Sequence, residues 1–152
     1  MKYVSRIVFG LSIAAVLALF TACPQANNQS GSIPEALTGV RAVQGWRAKQ
    51  IALFAKGDPA VDYDKVVITA KKVGSVEDVA LKRGGFSGQT YTAEKENVDF
   101  ISGMFFDMPE AGTAYTFTIT LLKDVNAIPL IKGTTTTNIV GQSSVTGISK
   151  KE

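Results

Sequence analysis

Tyr115-Thr116-Phe117-Thr118-Ile119-Thr120-Leu121 alternates an aromatic or aliphatic side chain with threonine at every step. A period of two in β-favouring residues predicts a half-buried strand. Val98 to Met108 keeps Val98, Phe100, Met104, Phe106 and Met108 on one face, interrupted by Ser102, and predicts a second strand. Lys65-Val66-Val67-Ile68-Thr69-Ala70 is rich in β-branched side chains and predicts a third. Ile51-Ala52-Leu53-Phe54 is short and apolar and stops at the turn signal Lys56-Gly57-Asp58-Pro59. Weaker patterns cover Leu37–Gln44, Val79–Lys82, Gln89–Ala93 and Ile128–Thr137. Trp46–Phe54 also fits one short amphipathic helix bracketed by Gly45 and Gly57. A parallel α/β fold needs helical runs of about 10–15 residues between strands, and the pattern offers none. The prediction is an all-β, antiparallel sandwich.

A different pattern opens the chain. Lys2 and Arg6 precede Ile7 to Phe20, which is apolar apart from Gly10 and Ser12, and Thr21-Ala22-Cys23 follows. The apolar run is shorter than the roughly 20 residues a membrane-spanning helix requires. A charged start, an apolar centre and small residues together read as an export signal, helical while it lasts. Cys23 is the only cysteine in the chain. The order resembles a bacterial lipoprotein signal peptide, cut just before a cysteine that receives a diacylglyceryl group. The resemblance implies lipidation at Cys23, with Phe20 where that family usually has an aliphatic residue. Ordinary secretion after Ala22 is the competing reading, and it would leave a lone thiol in an oxidising compartment.

Removing residues 1–22 changes the composition. The whole chain carries 16 Lys and Arg against 13 Asp and Glu; Lys2 and Arg6 leave with the signal, so 14 basic residues remain. A body this close to neutral gives no sign of nucleic-acid binding, for which a basic face is the first expectation. The sequence contains no histidine. That excludes Ser-His-Asp and Cys-His nucleophiles and the usual zinc sites. Residues 23–33 are mostly small and polar and predict a flexible tether, for which about ten residues give a root-mean-square span of roughly 17 Å. One domain is expected at 34–140 and a polar, frayed tail at 141–152.

Within the domain, Leu37-Thr38-Gly39-Val40-Arg41-Ala42-Val43, Ile51–Phe54 and Tyr63-Asp64-Lys65-Val66-Val67-Ile68 are spaced like three successive strands of a fibronectin type III or bacterial immunoglobulin-like domain. Met108-Pro109-Glu110-Ala111-Gly112-Thr113-Ala114-Tyr115-Thr116-Phe117 resembles that family's corner before strand F. The resemblance implies that the Tyr115 hydroxyl bonds to backbone a few residues upstream. Pro109 stands six residues before Tyr115 where the family has four, and Phe54 falls where a core tryptophan is usual. The resemblance implies a binding or spacer module rather than an enzyme.

Three further groups carry candidate chemistry. Asp58, Asp62 and Asp64 form an oxygen-rich loop that suits calcium, and equally an ordinary solvated turn. Lys82-Arg83-Gly84-Gly85-Phe86-Ser87-Gly88 reads as a hairpin turn, or as a basic tip whose Arg83 and Phe86 contact a partner. Thr134–Thr137 reads as a sheet-edge strand rather than a recognition surface, and such an edge is able to accept a strand from a partner. The expected protein is a non-catalytic lipoprotein of the bacterial cell envelope, without cofactor or metal, binding a protein or glycan. The outer membrane or cell surface is favoured over the inner membrane. A structural subunit of a larger envelope complex is the alternative.

Overall fold

Alternating burial produces nine strands among the residues that the computed structural model describes, 33–57, 59–126 and 135–152. They are β1 Arg41–Gln44, β2 Gln50–Phe54, β3 Lys65–Lys72, β4 Leu81–Arg83, β5 Phe86–Gly88, β6 Thr90–Glu94, β7 Met104–Asp107, β8 Ala114–Asn126 and β9 Thr135–Ile148. One sheet has the order β1-β2-β7-β4-β5 and the other β6-β3-β8-β9, and all these pairings are antiparallel. The fold is therefore all-β.

The period of two decides which side chains meet between the sheets. In β8 Tyr115, Phe117, Ile119 and Leu121 all turn inward, each at most 1 % exposed. Val66, Ile68 and Ala70 of β3 join them from the same sheet, and Ile51, Leu53, Leu81, Met104 and Phe106 from the other. Each such side chain contributes about 1.5–3 kcal/mol for the larger aliphatic and aromatic residues. The opposite face of β8 carries Thr116, Thr118 and Thr120. Register places Thr90, Thr69, Thr118 and Ser144 in one row across four strands. That outer face is built mainly of uncharged hydroxyls, and the Thr116 and Thr146 side-chain oxygens lie 2.8 Å apart.

Several expected boundaries move. The strand predicted over Val98–Met108 survives only as Met104–Asp107. Before it lies a 3-10 turn, Lys95–Asn97, and then a bend in which Asp99 Oδ1 accepts the amides of Ile101 and Ser102, both at 2.9 Å. This side chain offers the backbone an alternative to a sheet partner. Gly103 completes the bend at φ 96°, where a Cβ would come within 2.6 Å of the Phe54 ring. The helix alternative for Trp46–Phe54 is also replaced, by a turn followed by β2. The first strand starts at Arg41 rather than Leu37. Of the pattern at Ile128–Thr137, residues 128–134 lie outside the described residues and Thr135–Thr137 belong to β9.

The tail predicted at 141–152 is corrected most. β9 runs to Ile148 against β8, and Ser149 is fully buried. Its hydroxyl donates to Glu110 O at 2.7 Å and accepts the Thr113 amide at 3.0 Å. A bulge at Val140, between the pairs Leu121–Gly141 and Leu122–Ile139, shifts the register of the long hairpin. Beyond the bulge the outer edge of β9 is partly covered by the start of the domain. Ala36 N donates to Gln142 O at 3.2 Å, Gln142 N to Pro34 O at 2.9 Å, and Leu37 N to Ser143 Oγ at 3.0 Å. Glu35 and Gln142 pair in parallel. A Cβ on Gly141 would meet the Ala36 backbone at 2.9 Å, so the close crossing requires glycine there.

Tyr115 is 1 % exposed, and its hydroxyl accepts the Glu110 amide at 3.1 Å across the loop that leads into β8. A Tyr115→Phe variant leaves that amide without its partner and is expected to lose about 1–3 kcal/mol. Urea denaturation followed by circular dichroism measures this, and an unchanged midpoint would show the bond to be dispensable.

Candidate functional site

The β1–β2 turn is held more firmly than a surface turn needs to be. Gln50, 6 % exposed, accepts the amides of Trp46 and Arg47 at its Oε1 (3.1 and 3.4 Å) and donates from Nε2 to Asp107 Oδ1 at 3.2 Å. A Cβ on Gly45 would fall 2.4 Å from the Gln50 side chain, so only glycine lets this glutamine fold back under the turn. Lys49 closes the turn at φ 62°, a left-handed conformation that costs a non-glycine residue energy. Its amide donates to Lys150 O at 2.9 Å and its carbonyl accepts Met108 N at 2.8 Å. The ammonium of Lys150 adds a bond to Trp46 O at 2.7 Å.

What this bracing presents to solvent is Trp46, 84 % exposed. Tryptophan is a large apolar residue that folding normally covers, and it is the type most enriched where proteins meet partners. Beside the turn lies an open cleft of about 370 Å³ lined by Arg47, Gln50, Lys82, Arg83, Tyr91 and Asp107, with Gly84 and Phe105. Arg83 ends β4. Its Nη1 donates to Phe105 O at 3.2 Å, and its Cζ lies 5.8 Å from the centre of the Phe106 ring. Among the described residues, no carboxylate lies within ion-pair distance of Arg47, Lys82 or Arg83. The single lining carboxylate, Asp107, is bonded to Gln50, and the cleft therefore carries a surplus of positive charge.

Of the two predicted contact residues, Arg83 lines this cleft and Phe86 does not. Phe86 sits in β5 rather than on a free tip; Gly84 and Gly85 make the turn, with Gly84 at φ 57°. The Phe86 ring is half-buried, edge-on to Tyr91 at 5.2 Å, and Tyr91 is edge-on to Phe106 at 5.2 Å. Phe86 thus supports a wall of the cleft from behind. Trp46 and Arg47 were not among the predicted contacts. The sequence signal was a lone tryptophan after a glycine, which the helix alternative for Trp46–Phe54 obscured.

The remaining candidates fall elsewhere. Cys23 and Asp58 lie outside the described residues, as does Thr134; Thr136 and Thr137 are exposed in edge strand β9. Asp62 and Asp64 are occupied by cations of the protein itself. Lys123 Nζ lies 2.6 Å from Asp62 Oδ2 and 3.2 Å from Asp64 Oδ1, Lys95 lies 3.6 Å from Asp62, and Asp64 Oδ2 accepts the Asp124 amide at 2.7 Å. Among the described residues no three His, Cys, Asp or Glu side chains group as metal ligands, and no helix is long and apolar enough to cross a membrane. Comparison with known protein families, curated proteins and solved structures finds no match for this chain.

The ion pairs define a pH range. Hydrogen bonds from Lys123, Lys72 and Lys65 hold Asp62, Glu110 and Asp124 below their ordinary values, and the amide and side chain of Ser102 do the same for Asp99. The same partners raise Lys123, Lys72 and Lys65. The carboxylate contribution is present above the unfolded carboxylate range and is lost as pH falls through the lowered folded values. The lysine contribution is present below the unfolded lysine value and is lost as pH rises through the raised folded values. No histidine titrates between them. Thermal midpoints measured across pH are expected to be flat from about pH 5.5 to about pH 9 and to fall on both sides. A slope inside that interval would contradict the assignment.

Proposed function

We propose that this chain is a non-catalytic binding module of a bacterial cell envelope, attached by lipid on Cys23, which meets a protein or glycan partner with the Trp46–Arg47 turn and the adjoining cleft. The observation that carries the reading is the exposed Trp46 on a turn fixed by a buried glutamine and a left-handed lysine. Strain and buried hydrogen bonds spent on holding one aromatic side chain in water are understandable where that side chain is used for contact. The same end of the domain also exposes Val73, Val76 and Ile148, at 55 %, 86 % and 52 %. Loops gathered at one end of a rigid sheet scaffold are a common platform for recognition.

The fold is read as an immunoglobulin-like sandwich of the fibronectin type III kind. In support, β1, β2 and β7 lie side by side as strands A, B and E do, and β3, β8 and β9 as C, F and G do. Tyr115 near the start of β8, bonded to Glu110, supports it further. The β4–β5 hairpin beside β7 is an addition to that plan.

Two outcomes are expected. Cells fed labelled palmitate should incorporate the label into the protein and not into a Cys23→Ser variant; a wild-type protein that stays unlabelled would remove the lipid anchor. In a form that starts at Pro24 and so lacks the lipidated cysteine, Trp46→Ala should weaken binding to isolated envelopes by about tenfold or more, with the thermal midpoint unchanged because the side chain is exposed. Undiminished binding would remove this end of the domain as the contact.

A further inference from the structure

We infer that the cleft beside Trp46 takes an acidic saccharide, with the carboxylate of a uronic-acid unit held between Arg47 and Arg83. This rests on the binding reading above and names the class of ligand for that site. Arginine presents paired N–H donors that match the two oxygens of a carboxylate. Arg47 approaches from the braced β1–β2 turn and Arg83 from the end of β4, where its bond to Phe105 O limits the positions its guanidinium can take. Both lack a carboxylate partner within ion-pair distance among the described residues.

Three features favour a sugar over other anions. Asp107 places an acceptor among the cations, which a ligand bearing hydroxyl donors can use and a bare phosphate cannot. Tyr91 lines the same cleft and offers aromatic surface to the C–H face of a ring. The volume, about 370 Å³, lies at the small end of ligand sites, roughly 300–1,000 Å³, and suits a short stretch of a chain. An acyl lipid would require an apolar channel, and the lining is mainly polar.

Full-length lipidated protein in neutral detergent, titrated with oligogalacturonate and followed by calorimetry, tests the inference. Saturable binding is expected. The methyl-esterified oligomer, which keeps the rings and loses the charge, should bind about tenfold or more weakly. Arg47→Gln and Arg83→Gln should each weaken the acid form by about tenfold and leave the weak binding of the ester unchanged. Arg47→Gln is the variant that decides if Arg83→Gln lowers the thermal midpoint. Equal affinity for acid and ester, or no binding of the acid, would overturn the inference. Polyglutamate binding as tightly as the oligogalacturonate would assign the cleft to acidic peptides instead, and glycerol 3-phosphate doing so would assign it to lipid headgroups. If the saccharide fails while Trp46→Ala still weakens envelope binding of the form that starts at Pro24, the ligand class falls and the binding end stands.

Discussion

The inward side chains of β8 from Tyr115 to Leu121 are committed to the core, and that commitment fixes the rest of the domain. Side chains alternate faces along a strand, so a slip of one residue would send Tyr115, Phe117, Ile119 and Leu121 into water and bring threonines into the core. The same strand pairs with β3 on one side and β9 on the other, so its register sets theirs. The bond from the Glu110 amide to the Tyr115 hydroxyl pins the start of that register from inside the core. It also fixes the loop before β8, whose Glu110 side chain reaches Lys72 at 2.7 Å at the end of β3.

The candidate site obeys a second constraint, in which a polar group is buried to hold an apolar one outside. Gln50 makes three hydrogen bonds, leaving little of its polarity unsatisfied under the turn. Removing it would strand two backbone amides and one carboxylate oxygen at once. The turn and the cleft are linked through this residue, because the glutamine that shapes the turn also holds Asp107 on the cleft wall.

The parts of the fold legible in the sequence were those where hydropathy and burial coincide. β3 and β2 were read close to their bounds, and β8 from its start as far as Leu121, five residues short of its end at Asn126, because their apolar residues recur with period two or run together between turn signals. β9 was read as a tail from residue 141 because Gln142, Ser144 and Thr146 are polar, and sheet pairing with the threonine face of β8 leaves no hydropathy signal. The bend at Asp99 was hidden for a related reason, since one carboxylate satisfying two amides outweighs a favourable apolar pattern. Arg83 was legible as a basic residue beside glycines. Phe86 was assigned to a tip because local sequence does not show that Tyr91 lies beside it. Trp46 also fitted the start of a short amphipathic helix, and only the fold shows it exposed among the described residues.

The segment Pro34–Ala36 has a mechanical consequence. It lies parallel to β9, and its two hydrogen bonds to Gln142 sit side by side along the strand. A pull on the chain ahead of Ile33, directed along the strand, therefore loads both bonds together in shear, whereas a sideways pull would peel them one after the other. Behind them Leu37, 1 % exposed, is lodged in the core with its amide on Ser143. Tension from that side must draw an apolar plug through the sheet edge before it can reach the strands that carry the cleft.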